Sequence, residues 1–334
     1  MQKPRLIKAC AGLVFAVLAC LIGPFAAVAA DRPEQINVGY FQRWPAPMNY
    51  AQAQQTLDAV LKLEVNWIPF QSGRQMAAAL AAGEIQIAYA LGHVPFLVGL
   101  DSGAKLSMVG VAVSYPDDDN CILRADAGID RVSATQLVGK RVALRPGSVS
   151  HFRMIKVLQH LGVDPLTVQI LPVTDGNAAL QALQQGDAVM ACSYGSALKS
   201  MKALGMPLLT GAEQEAMGLK LFDIIAVENA FMEQHADIVH GFMQVNEAAN
   251  RQWAANPGAM LKLIARAAYM DRASASAALA EFRFPLAAAQ QSEAWLGGQV
   301  EAYTAALADF FVARGQLDNT LESYAPFITT RFLR

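Results

Sequence analysis

Ile85-Gln86-Ile87-Ala88-Tyr89-Ala90-Leu91-Gly92-His93-Val94-Pro95 decides how this chain folds. β-Branched and aromatic residues crowd its first half, so Ile85 to Ala90 reads as a strand, and the Gly92-to-Pro95 turn leads into a short helix from Pro95 to Leu100. Leu106 to Tyr115 is extended and apolar again. Strand, covering helix and strand in that order make one unit of a parallel sheet.

The same rhythm runs outward in both directions. Upstream lie a strand at Ile36 to Tyr40, a helix from Met48 to Lys62 behind Pro47, and a strand at Glu64 to Phe70. A helix from Ser72 to Ala82 follows and ends at Gly83. Downstream, strands at Cys121 to Arg124, Arg141 to Leu144, Val168 to Val173 and Ala188 to Ser193 enclose helices near Val149 to Leu161 and Asn177 to Gln185. After Leu221 to Val227 the pattern changes, and Phe231 to Phe311 is almost all helical, broken at Asn256-Pro257-Gly258 and Phe284-Pro285. The turn-rich stretch Tyr115-Pro116-Asp117-Asp118-Asp119-Asn120 is the expected crossover into a second domain, and Leu221 to Asn229 the expected return.

At 334 residues, with 54% hydrophobic and 16% charged, the chain has material for about two domains and is no disordered polyelectrolyte. Lys and Arg number 26 against 28 Asp and Glu, a balance that offers nucleic acid no basic field. Lys3, Arg5 and Lys8 precede the apolar run Ala9 to Ile22 and the small residues Ala27-Val28-Ala29-Ala30. That order predicts a signal peptide over residues 1–30, cleaved near Ala29 or Ala30, since the run is too short to span a bilayer. A lipobox ending at Cys20 is the alternative, disfavoured by the apolar Leu21 to Ala30 that would remain. Without residues 1–30 the net charge is −5, so the exported part is expected to be soluble and mildly acidic.

Cys10 and Cys20 leave with the leader, so the exported part keeps Cys121 and Cys192 and no zinc-chelating set. In an oxidising compartment this pair is either a disulfide or two buried thiols. There is no G-x-S-x-G elbow, P-loop or H-E-x-x-H pair; His235 and His240 sit on an ordinary helix. Neither a catalytic set nor a metal or organic cofactor is implied.

The chain offers instead three strand-to-helix junctions, where free backbone N–H groups and the helix dipole favour an anion: Phe70-Gln71-Ser72-Gly73, Leu91-Gly92-His93-Val94-Pro95 and Arg145-Pro146-Gly147-Ser148-Val149-Ser150-His151. Singly each is an ordinary helix start. Together they matter more, because ligands of open α/β sheets collect at the carboxyl ends of strands.

These junctions, with Gly83-Glu84-Ile85-Gln86-Ile87, Leu137-Val138-Gly139-Lys140-Arg141-Val142-Ala143, Gln184-Gln185-Gly186-Asp187, Ala191 to Ser196 and Leu221-Phe222-Asp223, resemble the periplasmic substrate-binding proteins of taurine and alkanesulfonate ABC transporters. The resemblance runs from Ile36 to Phe332 and is nearest the taurine-binding type. It implies an α/β, two-lobed periplasmic-binding-protein fold of type II, with two mostly parallel sheets, two crossover strands and a helical C-terminal region. Residues 31–113 and 227–334 would form one lobe and residues 114–226 the other, closing on a ligand. The implied partners are a membrane permease and its ATPase, with the receptor a monomer.

Taurine is a sulfonate two carbons from an ammonium, so the resemblance implies donors at one end of the cleft and a carboxylate with aromatic walls at the other. Ser72, Gly73, Gly92, His93, Ser148, Ser150 and His151 are the expected sulfonate ligands, with Gln42 a weaker one. Asp223 falls where the family carries its amine-binding acid; the alternative is a carboxylate paired with an Arg or Lys of the chain itself. Trp44 and Tyr194 would flank the methylenes and face the cation, or simply pack in the core. The implied topology makes the strands of Cys121 and Cys192 antiparallel neighbours, which predicts a disulfide within one lobe. Departures from the family bear on the ligand: the loop at Phe41 to Pro47 is about one residue longer, His93-Val94 replaces two serines, and Arg145, where proline is usual, either grips the sulfonate bidentately or lies outside the cleft as a solvated charge. Rival ligands are alkanesulfonates, nitrate and a pyrimidine precursor. Rival classes are a secreted enzyme on the same scaffold and the effector domain of a transcription regulator.

Overall fold

The computed structural model describes residues 32–334; the leader, its cleavage near Ala29 or Ala30 and the lipid alternative at Cys20 lie outside the described residues. The first half of the chain runs β1 (Gln35–Phe41), α1 (Pro47–Ala53), α2 (Thr56–Leu61), β2 (Glu64–Phe70), α3 (Gly73–Ala81), β3 (Ile87–Gly92), α4 (His93–Asp101) and β4 (Leu106–Ser114). Then come β5 (Asp119–Arg124), β6 (Arg141–Leu144), α5 (Val149–His160), β7 (Gln169–Pro172), α6 (Gly176–Gln185), β8 (Met190–Tyr194), α7 (Gly195–Met201), β9 (Gly205–Pro207) and α8 (Gly211–Ala216). β10 (Phe222–Glu228) precedes the helices α9 (Asn229–Gln234), α10 (Ala236–Ala255), α11 (Pro257–Ala267), α12 (Arg272–Glu281), α13 (Ala287–Gln290) and α14 (Gln299–Val312).

Two five-stranded sheets result, ordered β2-β1-β3-β10-β4 and β7-β6-β8-β5-β9. All nine residues of β4 are buried, as befits a strand covered on both faces. As expected the sheets are mostly parallel, each with one reversed strand: β10 runs antiparallel to β3 and β4, and β5 antiparallel to β8 and β9. The cause is the crossover itself. β5 and β10 each enter their sheet directly from the connection, at the end where the neighbouring strands finish. The two connections lie side by side, with the Tyr115 amide donating to the Leu221 carbonyl at 3.0 Å.

Smaller differences have local reasons. The helix expected over Met48 to Lys62 is two helices, because Gln55 takes a left-handed backbone (φ 52°) between them, and the restart buries Leu57 and Leu61. α4 begins at His93, two residues before Pro95. α7, β9 and α8 were not expected at all; each is only three to seven residues long, too short for a periodic signal.

Cys121 and Cys192 stand opposite one another in the β5–β8 ladder and are joined in a disulfide. The two halves also share apolar packing through α14. Its Tyr303 meets Phe222 of β10 at 6.3 Å and Phe152 of α5 at 5.9 Å, and Phe310 meets Phe152 at 5.3 Å. Residues 32–334 form one compact unit.

Candidate ligand-binding site

A cleft of about 520 Å³ opens between the carboxyl ends of the two sheets. Trp44, Tyr115, Asp119, Arg145, Ser150 and Tyr194 are among the residues that line it. A smaller cavity of about 140 Å³ adjoins it, sharing Val94, Tyr115, Val149 and Leu221 and adding Gly92, His93 and Lys220.

α5 supplies the anion-favouring end. Ser148 caps the helix: its hydroxyl accepts from the His151 amide at 3.1 Å and donates to the Arg145 carbonyl at 2.8 Å. Gly147 stands at φ 73° against Gln316, where a Cβ would come within 2.8 Å of that side chain, so the turn needs glycine. The amides of Val149 and Ser150, in the first turn, have no acceptor inside the helix and carry its positive dipole end. The Trp44 indole N–H is buried without a partner among the described residues. Its ring stands edge-on to Tyr115 at 5.5 Å and against Phe282 at 4.7 Å.

β10 supplies the acid. Asp223 is buried behind Gly92, lines neither cavity itself, and accepts a 2.5 Å hydrogen bond from the hydroxyl of Tyr115, which lines both. No Arg or Lys pairs with it among the described residues; Lys220 instead reaches the Glu215 carbonyl and lies over Trp295. Burial pushes the Asp223 carboxyl up to about 7, against the opposing pull of the Tyr115 hydrogen bond.

A second buried acid lies across the cleft. Asp119 accepts from the Ser150 hydroxyl at 2.7 Å, and its other oxygen is 3.8 Å from Nε of Arg153, too far for a hydrogen bond. Arg153 is itself buried, donating to the Pro116 carbonyl at 3.2 Å, with Nε and Nη1 unpartnered. Burial raises Asp119 to about 6 although Arg153 and Ser150 pull it down.

A buried acid, a dipole-charged helix start and aromatic walls around one cleft on a two-sheet frame describe a receptor for a small polar molecule, and residues 62–260 match the family described as NMT1/THI5 like. The chain belongs to the NMT1/THI5-like family. It is 25% identical over 313 residues to the taurine-binding periplasmic protein of Escherichia coli (strain K12), covering 91% of this chain and 95% of that protein. The periplasmic aliphatic sulphonate binding protein SsuA from Escherichia coli shares its fold, with a TM-score of 0.67 and 19% identity over 87% of this chain and 91% of SsuA. The desulfurization enzyme DSZB has the fold too, with a TM-score of 0.58 and 14% identity over 90% of this chain and 98% of that one. Among the described residues no helix is long and apolar enough to cross a membrane.

Within this NMT1/THI5-like frame the residues expected from sequence divide sharply. Trp44, Arg145, Ser148, Ser150 and Tyr194 line the cleft, and Gly92 and His93 line the adjoining cavity. Ser72, by contrast, is an exposed N-cap that bonds Gln75, and Gly73 is packed on Pro95. Gln42 lies by Tyr40. The His93 ring offers a sulfonate nothing: Thr304 donates its own proton to the Val300 carbonyl at 2.6 Å, so it accepts from Nε2 of His93, leaving Nδ1 a bare acceptor. Burial holds that imidazole neutral, near 3. His151 turns its Nδ1 to the Gly147 amide at 3.1 Å and its edge to Phe310, and burial with the Arg314 charge lowers it to about 4.

Tyr115, Asp119 and Arg153 were missed. Tyr115 and Asp119 belong to the crossover, where Pro and three Asp residues signal only a turn, while Arg153 reads as an ordinary helix-surface charge.

The raised acid at Asp223 has a testable consequence for stability. Its folded form holds a proton that the unfolded chain gives up near pH 3.8, so the carboxyl costs stability as pH rises from about 4 to about 7. His93 and His151 act in the opposite sense, which masks the trend in the unaltered protein. Comparison with Asp223→Asn removes that masking. Thermal or urea unfolding without ligand should find the variant gaining on the wild type through this window, by on the order of 4 kcal/mol, and level above it.

Proposed function

We infer that this chain is the exported receptor of an ABC importer, taking taurine or a close aminosulfonate into its cleft and handing it to a membrane permease driven by an ATPase. The observation that carries the reading is Asp223, a buried carboxylate with no basic partner among the described residues, set behind Gly92 of the cavity that reaches the α5 helix start, which favours an anion. A buried acid of this kind is costly when alone and favourable when a ligand brings the cation. The sulfonate then takes the amides of Val149 and Ser150, the Trp44 indole and the Arg145 guanidinium. Tyr115 holds the carboxylate in place and, with Trp44 and Tyr194, lines the path of the methylenes.

The name of the E. coli relative supports the ligand class, and its periplasmic location supports export by the leader at residues 1–30. Residues 31–113 with 227–334 act as one lobe and residues 114–226 as the other, and the closed form is what the permease recognises. The chain works by binding, without turnover. Calorimetric titration with taurine, ethanesulfonate, betaine and nitrate tests the assignment. Taurine should bind tightest, by about tenfold or more, a margin of some 1.4 kcal/mol. Nitrate or betaine binding as tightly, or conversion of taurine by the purified protein, would overturn it.

A further inference from the structure

The hydroxyl that the sulfonate reading assigns to Ser150 is already committed. Ser150 donates its only proton to Asp119, so toward the cleft it presents lone pairs, which repel a sulfonate oxygen. Both side chains are buried and both line the cleft. On the far side of Asp119 one carboxylate oxygen and two guanidinium nitrogens of Arg153 lack hydrogen-bond partners among the described residues, so the cluster is incompletely satisfied by them.

We propose that Asp119 takes up a proton when an anion occupies the α5 end of the cleft, and that this reverses its hydrogen bond and turns the Ser150 hydroxyl onto the ligand. The proton comes from solvent and goes to the Asp119 oxygen that now accepts; that O–H then donates to Ser150 Oγ, whose own proton swings into the cleft. The Asp119 O–H is the one bond formed, and none is broken in the protein. The inference rests on the anion-binding role proposed for this cleft and deepens it.

The surroundings of Asp119 favour this. Arg153 of α5 is the cation beside it among the described residues, and it works for the ionised form. Asp118 of the same turn works against it, Tyr303 of α14 faces both Asp119 and Arg153, and burial has already brought the acid to about 6. A ligand anion entering beside it is one more like charge, which favours the neutral acid further. Arg153 then remains the charge that balances the sulfonate from behind the Asp119–Ser150 pair.

Asp223 also titrates, in the opposite sense when an ammonium arrives, so the measurement must isolate Asp119. Taurine is titrated into the wild type and into Asp119→Asn at pH 7 in two buffers of different ionisation enthalpy. The Asn amide donates to Ser150 at every pH and so imitates the protonated acid. On binding taurine the wild type should take up more protons than Asp119→Asn does, by about half a proton or more. The ratio of wild-type to Asp119→Asn Kd should climb with pH by up to about tenfold per unit. Equal proton counts and a flat ratio, with taurine still bound, would overturn the relay alone. Failure of the wild type to bind any sulfonate would overturn the anion reading and the relay together. Should Asp119→Asn not fold, wild-type protein carrying 13C-carboxyl aspartate gives the same answer. One aspartate must shift toward the protonated position on taurine addition, and the absence of any such shift refutes the proposal.

Discussion

Asp223→Asn should lose taurine by about a hundredfold to a thousandfold in Kd while gaining stability without ligand. The binding loss follows from removing one partner of a buried, hydrogen-bonded ion pair, typically about 3 to 5 kcal/mol. The Tyr115 hydroxyl can still donate to the Asn oxygen, so the change is nearly isosteric and the cleft should keep its shape. Ethanesulfonate, which has no ammonium, should bind the variant at least as well as the wild type. Calorimetry with both ligands checks the pair of outcomes; an equal loss for both would show that Asp223 supports the cleft rather than meeting an amine.

Loss of the disulfide is the second large effect. Cys121 and Cys192 are 71 residues apart, and closing such a loop restricts the unfolded chain by roughly 4 kcal/mol on the chain-entropy estimate. A Cys121→Ala/Cys192→Ala double variant should therefore melt roughly 6 °C below the wild type in calorimetric scans. Denatured, unreduced protein without residues 1–30 should titrate no thiol. Taurine affinity should change far less, because Asp119 and Tyr194, which face each other across the same ladder, remain paired by the strands. A melting point within about 1 °C of wild type would mean that the bridge constrains nothing the ladder does not already hold.

How much of this could be read from the chain depends on the range of the forces involved. The strand and helix order was legible because it rests on local periodicity, and the Arg145-to-His151 turn was legible because a Ser before a helix and a Gly at a turn are local requirements. Asp223 was legible only through likeness to a family, since a single Asp inside Phe222-Asp223-Ile224 has no signature of its own. The two histidines misled for the opposite reason. A His after a Gly at a helix start looks like a ligand, but Thr304, 211 residues on from His93, and the Phe310 ring decide where the imidazoles turn. Asp119 and Arg153 become a site only when the crossover folds over the helix start. No spacing along the chain records that contact.

The seat of α14 sets how such a receptor can breathe. One row of rings, Phe222, Tyr303 and Phe152, passes from the first sheet to the helix of the second without interruption. Any gaping must either peel Phe152 off that row, wetting aromatic surface, or carry the helix along as ballast. The flank bearing Trp44 has a smaller clasp of its own, where the Trp44 and Phe282 rings close on Tyr115, so the crossover is pinned by aromatic contact as well.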